Sequence, residues 1–203
     1  PKGVRRLLGS YIERLSFGDP KYRGLPEPDH RLFESHPIIN SQLFYYLAHG
    51  RISPKPDVAE LYGDGVRFAD GTRETVDTIV YATGFRISFP FLDRTLLNWH
   101  DGKPKLWLNV FHPDRDDLFV IGLIQPDSGQ FGLVDYQARA VAGYLAATER
   151  KHPVADAVRR RKQTAADVTG GVRYLPSERH LLEVEHFSYR KQLQKLVASL
   201  PSL

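Results

Sequence analysis

The sequence predicts a mixed α/β fold with an incomplete doubly wound character. Three observations lead there. Two continuous apolar runs, residues 78–82 and 118–123, have the composition of strands covered on both faces. A series of short β-rich runs, punctuated by glycine and aspartate, precedes the first of them. Helical periodicity governs both ends of the chain.

Each element has its own signal. Val4, Leu7, Leu8, Tyr11, Ile12 and Leu15 fall at helical spacing and predict an amphipathic helix over about 2–16. Gly18, Asp19 and Pro20 stop it. Residues 20–37 carry Pro20, Pro26, Pro28 and Pro37, which predicts an extended connector. Asn40 and Ser41 form a capping pair for a short helix over 42–48, closed by Gly50.

From Arg51 the pattern changes. Runs at 57–62, 65–68 and 75–82 read as a β-meander, with turns at Gly63-Asp64-Gly65 and Asp70-Gly71. Residues 105–111 suggest one more short strand before the apolar run at 118–123. A loop over 125–132 then opens a helix with a buried stripe of Val134, Ala138, Val141, Ala142 and Leu145. A further helix is expected over 154–166, ended by Gly170-Gly171, and a last one over 187–199 burying Tyr189, Leu193, Leu196 and Val197.

Composition narrows the function. The 203 residues hold 28 Lys+Arg against 24 Asp+Glu, a formal charge of +4. The charges are interspersed, which assigns no nucleic-acid partner. There is no cysteine, so disulfides, thiolate metal sites and thiol redox chemistry are excluded. There is no methionine either, and a chain beginning at Pro1 is expected to be processed or part of something longer. The longest apolar run, 118–124, falls far short of the roughly 20 residues of a spanning helix. The first residues lack the apolar core and small-residue cleavage site of a signal peptide. The expectation is a cytoplasmic chain with no membrane partner.

Most chemistry-bearing patterns are missing from the sequence. The eight histidines include no HxxxH pair, so no metal site is assigned. Neither a GxSxG elbow nor a GxxxxGK[ST] loop occurs, and no GxGxxG. Arg159-Arg160-Arg161-Lys162 could grip a phosphate, but reads better as the solvated face of a helix.

Two segments do point to a cofactor. Residues 77–85 are an apolar run ending in Thr83, Gly84 and Phe85, where small residues let a ligand or another backbone approach closely. Residues 118–129 lead through Gly122, Leu123, Gln125, Pro126 and Ser128 into a helix start, whose N–H groups and dipole favour electron-rich ligand atoms. Plain strand-to-loop exits would look the same, and the residues alone leave both readings open.

An ordered series of segments carries a resemblance. It runs from residues 24–30 (GLPEPDH) through 36–41 (HPIINS), 63–72 (GDGVRFADGT) and 77–85 (DTIVYATGF) to 87–92 (ISFPFL). It continues with 121–126 (IGLIQP), Gln137-Ala138-Arg139, and Ser177-Glu178-Arg179-His180 followed by Tyr189. In order and spacing the series resembles the flavin-containing monooxygenases, FAD- and NADPH-dependent flavoproteins of the two-dinucleotide-binding-domain, Rossmann-like type. The resemblance covers nearly the whole chain and only the family's C-terminal half. The FAD-binding GxGxxG, the second glycine-rich turn for NADPH and the signature histidine motif between them have no counterpart here.

The resemblance implies the end of the NADPH-domain region over 1–50 and the C-terminal part of the FAD domain over 51–203. It implies FAD and NADPH as cofactors, and as partners O2, a small-molecule substrate and the N-terminal half of the enzyme, with homo-oligomerisation left open. Thr83, Gly84 and Phe85 would lie where the two domains join. Gly122, Leu123, Gln125, Pro126 and Ser128 would approach the flavin ring, with Gln125 and Ser128 as its contacts. The implied reaction inserts one oxygen atom from O2, through a flavin hydroperoxide, into an amine or sulfide or, in Baeyer–Villiger fashion, a ketone. The cofactor carries that chemistry, so no catalytic residue is assigned. The competing expectation is a truncated, non-catalytic protein that folds by dimerising or by docking to another chain.

Overall fold

The structure is a computed structural model that describes residues 24–26, 30, 34–35, 40 and 42–201. The expected helix over 2–16, its stop signal and most of the 20–37 connector lie outside the described residues. The chain divides into two compact units, Pro1–Leu32 with Ile38–Gly84, and Phe33–Pro37 with Phe85–Leu203.

In the first unit the short helix α1 (Leu43–Ala48) forms where its caps direct. Asn40 Oδ1 accepts the amides of Gln42 at 2.9 Å and Leu43 at 3.0 Å. At the other end Arg51 N–H donates to the Tyr46 carbonyl and Gly50 N–H to that of Leu47. This is the Schellman pattern, and Gly50 takes the φ of 64° that it requires.

The meander forms as β1 (Val58–Tyr62), β2 (Gly65–Phe68) and β3 (Arg73–Thr75), antiparallel in that order. Gly65 is where two backbones meet closely, since a Cβ there would lie 2.9 Å from the Glu74 carbonyl oxygen. The third strand ends at Thr75, well before residue 82. The apolar run at 78–82 joins no ladder, and Val80 and Tyr81 are 81% and 75% exposed. A strand exists only through a hydrogen-bonded neighbour, and no described residue of this chain provides one.

The second unit holds the main core. Three helices, α2 (Phe131–Glu149), α3 (Pro153–Lys162) and α4 (His186–Ser199), pack together. The buried face of α2 is Leu133, Gln137, Ala140, Val141, Gly143, Tyr144 and Ala147. Of the predicted stripe only Val141 is buried, and Leu145 is exposed. The stripe slipped because its true centre, Gln137, is polar. α4 buries Tyr189, Leu193 and Leu196, as its periodicity predicts, with Val197 half-buried beside them.

α3 starts at Pro153, with His152 Nδ1 accepting the Val154 amide. It stops at Lys162, short of the expected 166. There the Thr164 hydroxyl donates to the Arg161 carbonyl and Gln163 Nε2 to the Pro113 carbonyl, so the side chains take over from the helix ladder.

The remaining strands are two residues long. β4 (Trp99–His100) and β5 (Lys103–Pro104) form an antiparallel pair, and β6 (Gln125–Pro126) and β7 (Glu183–Val184) a parallel one. Residues 105–111 are a tight hairpin, not a strand: Trp107 bridges Phe111 while Leu108 and Asn109 adopt φ of 52° and 53°. The run at 118–123 touches a ladder only at Phe119, bridged to Phe111. Its side chains serve an aromatic cluster instead, with Phe119, Phe111 and Tyr144 meeting edge to face. Among the described residues no helix is long and apolar enough to cross a membrane.

Candidate functional site

The loop between residues 121 and 131 is held from both sides. Gly122 sits at φ 86°, a conformation that favours glycine. Its N–H donates to Gln137 Oε1 at 2.8 Å, and its carbonyl accepts Gln130 Nε2 at 3.0 Å and the Ile124 amide at 2.9 Å. Gln137 is fully buried, and its Nε2 donates to the Tyr189 hydroxyl at 2.8 Å. That hydroxyl donates in turn to the Leu108 carbonyl at 2.6 Å. One buried chain of hydrogen bonds therefore joins the loop, α2, α4 and the 105–111 hairpin.

Beyond the clamp the loop opens to solvent. Ser128, Gly129 and Gln130 are exposed, and Phe131 is 92% exposed. The first turn of α2 contains no acidic residue, and Gln130 spends its side chain on Gly122 rather than capping its own helix. A Cβ added at Gly129 or Gly132 meets nothing within 4 Å, so the space in front of this helix end is open. The positive end of a 19-residue helix is thus left available to electron-rich atoms.

Behind the loop lies a group of buried polar atoms. Glu183 on β7 is 4% exposed, and its Oε1 accepts Gln125 Nε2 at 3.2 Å. Its Oε2 has no partner, nor do the Tyr174 hydroxyl or His186 Nδ1. Burial, reinforced by the Asp127 charge and opposed by Arg179, pushes the Glu183 carboxyl up to about 7. Burial and the negative charges of Asp127, Glu183 and Glu185 push the Tyr174 hydroxyl up as well. Asp127 Oδ1 accepts the His186 amide at 2.9 Å, which ties the loop to the start of α4.

The eight residues singled out in the sequence do not fall together in one unit. Gly122, Leu123, Gln125, Pro126 and Ser128 share this loop. Thr83 and Gly84 close the first unit, both exposed, and Phe85 opens the second, fully exposed. Gln130, Gln137 and Glu183 went unnoticed as site residues. Gln137 stood in the Gln137-Ala138-Arg139 motif, but its burial had no sequence signal.

The basic run 159–162 is not simply a solvated face. Lys162 is 3% exposed, and its Nζ donates to Asp116 Oδ1 at 2.7 Å and to the Arg115 carbonyl at 2.6 Å. Arg159 Nε reaches Asp116 Oδ2 at 2.6 Å, and the Tyr144 hydroxyl donates to Asp116 Oδ1. Burial alone would raise the Asp116 carboxyl. The hydrogen bonds from Lys162, Tyr144 and Arg159 outweigh it and hold the group well below the usual carboxylate range. Two of the four cations are therefore committed to fixing α3 against residues 115–116.

Comparison with known proteins identifies the family. A family described as flavin-binding monooxygenase-like matches residues 16–203. Rat dimethylaniline monooxygenase (N-oxide-forming) 2 is 41% identical over 115 residues, 55% of this chain and 22% of that protein. Human flavin-containing monooxygenase 5 is 27% identical over 202 residues, 97% of this chain and 37% of that protein. Its rabbit counterpart is 28% identical over 180 residues, covering 87% and 33% respectively. The alignments with these curated relatives span between 22% and 37% of their length.

Proposed function

The chain belongs to the flavin-binding monooxygenase-like family, and on that premise we propose that it supplies the C-terminal, flavin-side portion of an FAD- and NADPH-dependent monooxygenase. The reaction in this reading transfers one oxygen atom from O2 to a small organic substrate, by N- or S-oxygenation or Baeyer–Villiger insertion. The rat relative is named for forming the N-oxide of dimethylaniline, so a tertiary aromatic amine is the first substrate class to try.

The observation that carries this reading is the clamped loop in front of α2. The pyrimidine edge of a flavin offers carbonyl oxygens and ring nitrogens that accept hydrogen bonds. An exposed, unneutralised helix N-terminus with open space before it fits those acceptors. Bound flavin supplies the redox chemistry and the activation of O2.

The chain's own residues position and shelter. Gln137 and Gln130 hold Gly122 from opposite sides and so fix where the loop ends and the helix begins. Gln125 and Ser128 present polar side chains and Leu123 a partly exposed apolar one, while Pro126 is buried and supports the loop from within. Thr83, Gly84 and Phe85 belong, in this reading, to the junction with the NADPH-binding part. The exposed side chains of Val80 and Tyr81 in the first unit are apolar surface that the N-terminal half would cover.

Grafting tests the proposal. This chain replaces the aligned segment of human flavin-containing monooxygenase 5, and the purified protein is assayed for bound FAD and for N-oxide formation from N,N-dimethylaniline with NADPH. The reading expects a yellow, FAD-containing protein that makes the N-oxide. A soluble graft without FAD would count against it, as would tight stoichiometric FAD binding by the 203-residue chain alone.

A further inference from the structure

Gln125 and Glu183 meet because β6 and β7 pair in parallel with these two residues opposite each other. Paired residues of adjacent strands project to the same face, which brings the two side chains together. The ladder is only two residues long, and Pro126 has no N–H to extend it. The backbone contributes the bond from Gln125 N–H to the Leu182 carbonyl at 2.7 Å. The side chains add the bond from Gln125 Nε2 to Glu183 Oε1.

A carboxylate can only accept hydrogen bonds. Facing an ionised Glu183, the Gln125 carboxamide has one satisfactory orientation, nitrogen toward Glu183 and oxygen away. Building on the flavin reading of this loop, we propose that Glu183 is a positioning residue: it takes the Gln125 nitrogen and so presents the Gln125 carboxamide oxygen as acceptor for an N–H of the isoalloxazine ring. An acceptor here complements the donors at the start of α2, because the flavin's pyrimidine ring carries both carbonyl oxygens and an imide N–H.

The orientation depends on charge. Asp127 from the loop raises the Glu183 carboxyl and Arg179 lowers it, while Tyr174 adds a buried neutral hydroxyl whose own field includes Asp127, Glu183 and Glu185. With Glu183 titrating near 7, the carboxamide is locked above neutrality. Below it, a protonated carboxyl can donate to the carboxamide oxygen, and the lock is released.

The test uses the whole 203-residue chain, labelled with 15N-glutamine, with no flavin present. The Gln125 side-chain NH2 pair is assigned by its loss in Gln125→Ala and followed from pH 5.5 to 9. In the native chain the pair is expected to shift with a midpoint near pH 7. In Glu183→Gln, which is neutral at every pH, it should lose the pH dependence and stay near the native chain's low-pH position. In Glu183→Leu it should move to the position of a solvent-exposed glutamine, while the Gln137 side-chain NH2 pair, held on the Tyr189 hydroxyl, stays in place. A pair that neither titrates in the native chain nor moves in Glu183→Leu overturns the proposal. Because the readout needs no cofactor, its failure is separate from a failure of the graft to bind FAD.

Discussion

The buried carboxamide oxygen of Gln137 accepts the Gly122 amide at 2.8 Å, so the loop before α2 is fastened from inside the core. The same side chain donates to Tyr189, whose hydroxyl serves the Leu108 carbonyl. Replacing Gln137 by leucine leaves the Gly122 N–H and one Tyr189 lone pair unsatisfied. The expected cost is about 2 kcal/mol of folding stability, the penalty for burying polar groups without partners. Urea denaturation measures it, and hydrogen exchange should show the Gly122 amide losing protection beyond the global change.

Asp116 is the hub that fixes α3. Replacing it by asparagine strips the charge partner from Lys162, whose side chain is 1% exposed. A buried cation left without its counter-charge costs about 3 kcal/mol. The carboxyl is held well below its usual range, so its contribution is full at neutral pH, begins to decline only below about 4, and is lost only in far stronger acid. Urea midpoints should show a large gap between the native chain and Asp116→Asn at pH 7, most of which persists at pH 3 because the carboxyl stays ionised there.

Glu183 acts with the opposite sign. Its carboxyl titrates near 7 in the fold against 4.5 when unperturbed, so its contribution is fully present below about 4.5 and declines as pH rises toward 7. Glu183→Gln, which cannot ionise, should match the native chain at pH 4.5 and exceed it at pH 8. Thermal denaturation across that range gives the curve directly.

Much of the architecture was legible in the sequence where a local device sets it. The Asn40 cap and Gly50 stop of α1, the two glycine turns of the meander and the Tyr189–Leu193–Leu196 face of α4 all lie where their residues predict. What failed depended on neighbours. The runs at 78–82 and 118–123 have strand composition, but a strand needs a partner, and composition says nothing of its presence. The α2 stripe slipped because a glutamine sits at its centre, and hydropathy does not register a polar side chain satisfied by Gly122 and Tyr189. Glu183 was invisible for the same reason: an acid in a two-residue strand between irregular segments reads as solvated.

The exposed apolar run offers a prediction of a different kind. Val80 and Tyr81 contribute little to the first unit, since they are 81% and 75% exposed. The double change Val80→Thr with Tyr81→Ser should alter folding stability by no more than about 0.5 kcal/mol, as for surface sites generally. It should reduce self-association of the isolated chain, read by sedimentation velocity, if this surface is what an N-terminal half covers.

The most direct test of the account is hydrogen exchange on the grafted enzyme, with and without FAD, followed by mass spectrometry at peptide resolution. The account predicts that FAD slows exchange over residues 122–133 and leaves residues 153–162 of α3 unchanged. Equal exchange over 122–133 in both states, with FAD demonstrably bound, would contradict the assignment of this loop to the flavin.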